Sequence, residues 1–270
     1  MGERAAANDP IGVFDSGVGG LSVLNALRAE LPHERFVYFA DTANAPYGER
    51  GEDFVTQRTL AITADLVERH RIKALVVACN TATAAAIHLV RTTYPALPVV
   101  GVEPALKPAV ALSATGSIGV LATRGTLASL KFRKLHDSLA GQAKFSLVPC
   151  DGLAAAIEAS ATAAIGELCV RYMRAAGRFG TAPGQIDTLV LGCTHYPFVA
   201  DELRRHAGPT VRFIDTGAPV ALQTRRLLAA THALAAERDG STAPVLETSG
   251  PPEALAAAAA RWLHRATVPA

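Results

Sequence analysis

The sequence predicts an α/β protein built from two similar parallel-sheet domains. Short aliphatic runs alternate with longer amphipathic stretches along the chain of 270 residues, a rhythm typical of parallel strands joined by helices. The run IGVF at Ile11 returns as IGVL at Ile118, 107 residues later (118 − 11). A cysteine that follows an aliphatic run also occurs twice, at Cys79 and at Cys193, 114 residues apart (193 − 79). Two similar offsets indicate an internal duplication, so we expect one sheet per half and a pseudo-twofold relation between the halves.

The first half predicts strands and helices in strict alternation. The apolar residues Leu21, Leu24, Leu27 and Leu31 keep helical spacing after a glycine-rich turn. In chain order we expect a strand from Ile11, a helix through LSVLNALRAEL, a strand at Arg35–Asp41, a Pro/Gly loop, a helix through EDFVTQRTLAITADLVERH, a strand IKALVVAC, a helix NTATAAAIHLVRTTY and a further strand–turn–helix in LPVVGVEPALKPAVAL.

The second half repeats the alternation of strands and helices, and two further segments follow this repeat. The repeat runs through SIGVLATRGTLAS, KFSLVPCDGLAAAIEA and IDTLVLGCTHYPFVADELRRH. The later segments, VRFIDTGAPVALQTRRLLAATHAL and VLETSGPPEALAAAAARWL, need a sheet edge or face to cover. We assign them to the first domain, although the sequence alone does not force this return. The expected domains are residues 1–102 plus 213–270, which contain Cys79, and residues 103–212, which contain Cys193.

Composition excludes several classes of function. Half of the residues are hydrophobic, the formal net charge is only +2 and no block of like charge stands out, so nucleic-acid binding has no electrostatic footprint. The opening MGERAAANDP lacks the apolar core of a signal peptide, and no apolar run is long enough to cross a bilayer. We therefore expect a cytoplasmic protein that binds neither nucleic acid nor membrane.

The four cysteines show no metal or redox spacing. No two of them lie within a CxxC motif, so the sequence predicts no zinc site and no redox pair. Cys150 and Cys169 are expected to be small buried hydrophobes. Cys79 and Cys193 differ from them, because each follows a predicted strand and precedes polar residues that open a helix. A helix N-terminus attracts anions and favours the reactive thiolate.

Two further polar segments allow two interpretations each. In FDSGVGGLS, Ser22 stands where a dinucleotide fingerprint needs glycine, and no phosphate-binding GxxxxGK[ST] loop occurs in the chain. Its glycines either permit a tight turn only, or Asp15 and Ser16 project toward a polar ligand. Likewise DTANAPYGER is either an ordinary surface turn or a loop that presents Asp41, Tyr47 and Gly48.

Two equivalent thiols suggest an inversion reaction. Since ligands of such sheets bind beyond the carboxyl ends of the strands, Cys79 and Cys193 are expected to face each other across an interdomain cleft. A small anionic molecule held there between two helix N-termini would have an acid/base group on each side. One group could remove a proton from carbon, and the other could deliver a proton to the opposite face.

The chain resembles the glutamate racemases, cofactor-independent enzymes that make D-glutamate for bacterial peptidoglycan. The matching segments are IGVFDSGVGGLSVL, YFADTANAPYG, VVACNTATA, VLGCTHYPF, FIDTGAPVA and ETSG. The resemblance implies two-base catalysis by Cys79 and Cys193, with Cys193 deprotonating L-glutamate and Cys79 deprotonating D-glutamate. It also implies a role in cell-wall biogenesis and cell shape, no cofactor, no metal and a homodimer.

The resemblance further implies a set of site residues. Asp15 is expected to assist near Cys79 and His195 near Cys193, while Asp41 and Glu158 match auxiliary acids of the family. His195 after GCT favours glutamate over aspartate, because aspartate racemases usually carry an acidic residue there. The implied substrate contacts are Asp15, Ser16, Tyr47, Gly48, Asn80, Thr81, Thr194 and His195. No role is assigned to Glu103, and control by a cell-wall precursor is left open.

Two alternatives stay open at this point. The same scaffold could racemise aspartate or another amino acid, which the pocket for the side-chain carboxylate would decide. The protein could also bind amino acids between two lobes without turning them over, but the presence of both cysteines argues against such an idle site.

Overall fold

The computed structural model describes residues 7–237 and 242–263, which form two compact units. The first unit contains the described residues up to Val102 and those from Gly217 onward, and the second unit is Glu103–Thr216. The strands are β1 (Ile11–Asp15), β2 (Phe36–Ala40), β3 (Ala74–Val77), β4 (Val99–Gly101), β5 (Ser117–Ala122), β6 (Lys144–Pro149), β7 (Thr188–Gly192), β8 (Arg212–Ile214) and β9 (Val245–Thr248). The α-helices are α1 (Leu21–Glu30), α2 (Glu52–His70), α3 (Asn80–Thr93), α4 (Leu106–Leu112), α5 (Arg124–Ala128), α6 (Leu130–Asp137), α7 (Leu153–Glu158), α8 (Thr162–Ala176), α9 (Ala200–Ala207), α10 (Gly217–Ala230) and α11 (Pro252–Trp262).

Each unit has its own parallel sheet, which confirms the predicted fold class. The first sheet has the order β4-β3-β1-β2-β9 and the second has the order β6-β5-β7-β8. All pairings in both sheets are parallel. Read from the other edge, the second sheet runs β8-β7-β5-β6 and matches β4-β3-β1-β2 strand for strand. This equivalence pairs β1 with β5 and β3 with β7, as the repeated Ile-Gly-Val and cysteine segments predict.

The end of the chain completes the first sheet. β9 pairs with β2, with Val37 opposite Val245, and α10 packs against α1. β8 instead pairs with β7, through Thr188 and Arg212, so it lies in the second sheet. Residues 213–216, which the sequence division gave to the first domain, therefore belong by their contacts to the second unit.

Local sequence explains where helix α2 begins and ends and where α3 begins. α2 carries Glu52 and Asp53 in its first turn and Arg69 and His70 in its last, which suits the helix dipole. It stops at Arg71, which adopts a left-handed conformation with φ of 49°. Only Ala78 and Cys79 separate β3 from α3, so both lie at the carboxyl end of the sheet.

Tightly packed aliphatic side chains hold each unit together. In the first, Phe14, Val77 and Leu66 belong to one buried cluster, and in the second Ile118, Val120 and Val190 belong to another. Among the described residues no helix is both long and apolar enough to cross a membrane.

A buried ion pair stabilises the amino-terminal side of the first sheet. Lys73 Nζ lies 2.6 Å from Glu34 Oε2, and both side chains are buried. Lys73 also donates to the carbonyls of Ala7 and Ala233, while Glu34 accepts from the amide of Ala235 at 2.9 Å. The pair thus joins four chain segments, those around residues 7, 34, 73 and 233–235.

We expect Lys73→Met to lower the free energy of unfolding by about 3–5 kcal/mol, because it leaves a buried carboxylate without its counter-charge. The double variant Lys73→Met/Glu34→Gln should recover most of that loss. Arg225→Met, which breaks a solvent-exposed pair with Glu30 in the same unit, should cost no more than about 1 kcal/mol. Urea unfolding followed by circular dichroism measures all three, and equal losses in the single and double variants would contradict this account.

Candidate active site

Polar groups gather at the carboxyl ends of three neighbouring strands in the first unit. Asp15 ends β1, Asp41 follows β2 and Cys79 follows β3 by two residues. The amide of Asp41 donates to the carbonyl of Asp15 at 3.0 Å, so the two acids leave adjacent strands side by side. Asp15 and Asp41 are both fully buried. The edge of the sheet where ligands of parallel α/β folds bind is therefore lined with acids and a thiol.

Cys79 caps helix α3 with its sulfur. Its Sγ accepts a hydrogen bond from the amide of Ala82 at 3.5 Å and donates to Ser16 Oγ at 3.6 Å. The thiol is buried. Because the positive end of the helix dipole points at this sulfur, α3 stabilises negative charge there.

The glycine-rich turn after β1 fixes the carboxylate of Asp15. Asp15 Oδ2 accepts from the amide of Gly20 at 2.5 Å, and the hydroxyl of Tyr38 donates to the carbonyl of Gly17 at 2.6 Å. A β-carbon on Gly20 would lie 2.6 Å from that of Asp15, so only glycine allows this approach. The turn thus holds Asp15 and Ser16 in place beside Cys79.

Asn80 is a buried polar side chain at the start of α3. It opens α3 and is 5% exposed, and neither its Oδ1 nor its Nδ2 finds a hydrogen-bond partner within the described part of the chain. A buried amide left unsatisfied costs about 1–3 kcal/mol. Its neighbour Thr81 is half-buried at the same helix N-terminus.

The segment after Asp41 is more ordered than the predicted Pro/Gly loop. It contains two short 3-10 turns, Thr42–Asn44 and Tyr47–Glu49. Tyr47 is buried against Phe14 and belongs to the same cluster as Cys79, whereas Gly48 is half-buried. The hydroxyl of Tyr47 donates to Asp41 Oδ2 at 2.5 Å.

The second unit places a different type of helix after Cys193 than the first unit places after Cys79. The cysteine directly follows β7, as expected, but no α-helix begins after it. A short 3-10 helix, Tyr196–Val199, begins instead and leads into α9, with Pro197 in its first turn, where a missing amide donor is tolerated. The helix N-terminus expected after Thr194 and His195 is thus that of a 3-10 helix with His195 as its N-cap, and the two thiols have different surroundings.

Cys193 contacts a histidine, which in turn contacts a carboxylate. The Sγ of Cys193 lies 3.6 Å from Nδ1 of His195, and Nε2 of His195 lies 2.6 Å from Oε1 of Glu158 at the end of α7. Burial alone would lower the pKa of His195, but its hydrogen bonds to Cys193 and Glu158 raise that pKa well above its ordinary value. At neutral pH the imidazole is consequently a cation held between a sulfur and a carboxylate.

The other two cysteines have the surroundings of inert thiols. Cys150 and Cys169 are both buried, as the sequence predicts. Burial raises the pKa of Cys169 to about 11 and raises the pKa of Cys150 further. Both therefore stay protonated at neutral pH. Glu103 is partly exposed and pairs with Lys131 at 2.8 Å.

The structure brings the predicted residues together in two groups, one per unit. The first contains Asp15, Ser16, Asp41, Tyr47, Gly48, Cys79, Asn80 and Thr81, and the second contains Glu158, Cys193, Thr194 and His195. Sequence reasoning missed Arg58, which binds Asp41 from the middle of α2. No local motif marks it, because the contact joins residues 17 positions apart in different elements. Within residues 7–237 and 242–263, no cluster of three or more His, Cys, Asp or Glu could hold a metal ion.

Known proteins share both the sequence and the fold. A glutamate racemase from Stutzerimonas stutzeri is 46% identical over 252 residues, which cover 92% of this chain and 91% of that protein. One from Ralstonia nicotianae is 49% identical and covers 91% of this chain and 88% of its own. These matches confirm the resemblance to glutamate racemases and the expectation of an amino-acid racemase.

Solved structures agree with these relatives. A glutamate racemase from Bacillus anthracis superposes with a TM-score of 0.83 at 30% identity and covers 97% of both chains. One from Escherichia coli, solved with L-glutamate and the activator UDP-MurNAc-ala, gives a TM-score of 0.79 at 33% identity, with 94% of this chain and 95% of that one covered. The family model for Asp/Glu/hydantoin racemases matches residues 20–224, which include both cysteines. The chain, with its two strand-end thiols in equivalent units, therefore belongs to the Asp/Glu/hydantoin racemase family of isomerases.

Proposed function

We propose that the protein is a cofactor-independent glutamate racemase that interconverts L- and D-glutamate by two-base proton transfer. One observation carries this proposal: Cys79 and Cys193 follow equivalent strands, β3 and β7, in two units of the same strand order. Two relatives that are 46% and 49% identical over about nine-tenths of this chain are glutamate racemases. In this role the enzyme supplies D-glutamate for peptidoglycan in the cytoplasm, as a homodimer.

The proposed reaction moves one proton at each thiol. In the direction from L to D, the Cys193 thiolate takes the α-proton of L-glutamate, and the electron pair of the broken C–H bond stays on the α-carbon and its carboxylate. The Cys79 thiol then gives its proton to the opposite face, which forms D-glutamate. Cys193 ends as a thiol and Cys79 as a thiolate, and exchange with solvent or the reverse reaction resets them. No oxidant, reductant or cofactor is needed to balance this step.

Each thiol has its own means of carrying negative charge. The N-terminus of α3 and the amide of Ala82 support the sulfur of Cys79, and Asp15 assists from the neighbouring strand end. The imidazolium of His195 supports the sulfur of Cys193, and Glu158 keeps that imidazole protonated and oriented. Since an amino acid α-proton is weakly acidic, most of the barrier must be lowered by such fixed charges and dipoles in buried surroundings.

Substrate recognition is assigned to the polar groups that surround the thiols. Asn80 has both a donor and an acceptor to spare in a buried setting, which suits the ammonium and carboxylate groups of an amino acid. Ser16, Tyr47, Gly48 and Thr81 complete the contacts from the first unit, and Thr194 and His195 complete those from the second. His195 in place of an acidic residue favours the longer glutamate side chain over aspartate.

The test of this function follows purified protein with L-glutamate by circular dichroism, in the presence of a chelator and without added cofactor. We expect the signal to decay to zero as the racemate forms. In deuterium oxide at low conversion, the D-glutamate product should carry deuterium at the α-carbon while the remaining L-glutamate keeps protium. Protium in the product would indicate a single shared base, and activity restored only by a metal would contradict a cofactor-free mechanism. Faster racemisation of aspartate than of glutamate would identify the other substrate.

Asn80→Ala is expected to stabilise the fold and to weaken substrate binding. Removing a buried amide without protein partners should raise the free energy of unfolding by about 1 kcal/mol. The KM for glutamate should rise about tenfold or more, because a polar substrate loses its matched partners. Thermal unfolding and initial-rate kinetics measure the two effects, with Thr83→Val on the same helix as a control for a satisfied buried polar group. A variant that is both less stable and kinetically normal would show that Asn80 is structural.

A further inference from the structure

Asp41 is a carboxylate at the edge of the first sheet that accepts hydrogen bonds at both oxygens. Its Oδ2 accepts from the hydroxyl of Tyr47 at 2.5 Å and from Nε of Arg58 at 3.0 Å. Its Oδ1 accepts from Nη2 of Arg58 at 2.8 Å and from Nδ2 of Asn44 at 3.0 Å. Both oxygens are thus engaged, and the carboxylate is fully buried. A carboxylate in this state is poorly placed to exchange protons with a substrate.

The charge of Asp41 depends on Arg58. Burial alone would raise the pKa of Asp41, but hydrogen bonds from Arg58, Tyr47, Ser249 and Asn44 lower it below its ordinary value. Arg58 is the only cation in this set, and its guanidinium binds the two oxygens as a fork. Burial and Asp41 together raise the pKa of Tyr47, with a further contribution from Cys79, so Tyr47 remains a hydrogen-bond donor throughout the working pH range.

The partners of Asp41 are the residues that shape the segment 42–50. Asn44 lies in the first 3-10 turn and Tyr47 in the second, while the hydroxyl of Ser249 accepts from the amide of Ala43 at 3.2 Å. Tyr47 also packs on Phe14, the residue before Asp15, with ring centroids 6.2 Å apart. Any displacement of Asp41 would therefore be passed to Tyr47 and Gly48.

We propose that Arg58 is a positioning residue, which holds the Asp41 carboxylate as the anchor for the substrate-contacting segment 42–50. This inference rests on the proposed function, in which Tyr47 and Gly48 contact the substrate. Arg58 itself acts through Asp41 and Tyr47 and not on the reacting atoms. Its guanidinium fork is essential to this role, because a lysine supplies the charge but cannot bind both oxygens in one plane.

Arg58→Gln should raise the KM for glutamate and lower kcat/KM by about tenfold to a hundredfold, since two charge-assisted hydrogen bonds are lost. Arg58→Lys should recover part of this loss. Arg69→Gln is the matched control, because Arg69 lies on the same helix and pairs with Asp65 and Glu247, away from Asp41. We expect that control to keep the kinetics of the wild type within about twofold.

The pH profile separates positioning from a merely structural role. Without Arg58, burial should raise the pKa of Asp41, so Arg58→Gln should gain a pH dependence of KM that the wild type lacks. KM should fall as the pH rises and Asp41 regains its charge to accept from Tyr47. In the double variant Asp41→Asn/Arg58→Gln this pH dependence of KM should vanish. Its kcat/KM should be at most about threefold below that of the less active of the two single variants, Asp41→Asn and Arg58→Gln.

Hydrogen exchange provides a readout that does not depend on the proposed activity. Backbone amides of residues 42–50 should exchange faster in Arg58→Gln and Arg58→Lys than in the wild type or in Arg69→Gln. Unchanged exchange there, a wild-type pH profile in Arg58→Gln, or losses that multiply in the double variant would each overturn the inference. An inactive wild type that still shows the exchange difference would instead count against the proposed function alone.

Discussion

Cys79→Ser and Cys193→Ser should each lose racemase activity by at least about 10³-fold, in both directions. In the proposed two-base mechanism each turnover removes one proton at one thiol and delivers one at the other, so both sulfurs are required. A serine hydroxyl is nearly the same size but far less acidic, and it cannot provide an anionic base near neutral pH. Circular dichroism time courses from L- and from D-glutamate measure the two directions.

Cys169→Ala is the control for these variants. It removes a buried thiol from α8 in the second unit, which has no role in the proposed proton transfer, and should retain the racemisation rate within about threefold. Near-UV spectra should show that both serine variants keep the fold. Substantial racemisation by either serine variant, or inactivation by Cys169→Ala, would refute the assignment of the two bases.

Much of the fold could be predicted because local pattern and tertiary structure agree. α2 begins and ends at the predicted residues Glu52 and His70, where charges, caps and the preceding Pro/Gly loop all mark the same boundaries. The repeated Ile-Gly-Val and cysteine segments predicted two equivalent sheets, because each marks a central strand and the strand beside it. Buried parallel strands have few alternatives once such a repeat is recognised.

The features that escaped prediction depend on contacts between distant segments. The sequence predicted a helix start after Cys193, since GCTHYP shows polar residues after a strand in the same way as ACNTAT, but it did not show that this helix is a short 3-10 helix that precedes α9. Arg58 lies on a partly buried face of α2 and is indistinguishable in sequence from Arg69 until Asp41 is placed opposite it. The pairing of β8 with β7 likewise required the sheet itself.

The asymmetry between the two thiols leads to a direction-specific expectation. Cys79 is supported by a helix N-terminus, which does not titrate, whereas Cys193 is supported by His195, which does. His195→Asn should therefore depress the step in which Cys193 acts as base more than the reverse step. Since the equilibrium constant fixes the ratio of the two specificities, the primary isotope effect at the α-carbon, measured in each direction, is the informative quantity. Unchanged isotope effects would contradict a role for His195 in proton transfer.

Glu158→Gln should move the alkaline limit of this activity to lower pH. In the wild type the hydrogen bonds to Cys193 and Glu158 raise the pKa of His195 against the effect of burial, so the imidazolium persists well above the pH at which a free histidine loses its proton. Its support of Cys193 is fully present at low pH and is lost as the pH rises through that raised pKa. Without the Glu158 carboxylate, one of the hydrogen bonds that raise the pKa of His195 is lost while burial still lowers it, so the loss of activity sets in at a lower pH. At neutral pH we expect kcat/KM to fall about tenfold to a hundredfold.

Glu103→Gln is the control for this variant. It alters an exposed pair with Lys131 in the same unit and should leave the pH profile unchanged. A Glu158→Gln variant that loses activity equally at every pH would show that the carboxylate orients His195 without setting its charge.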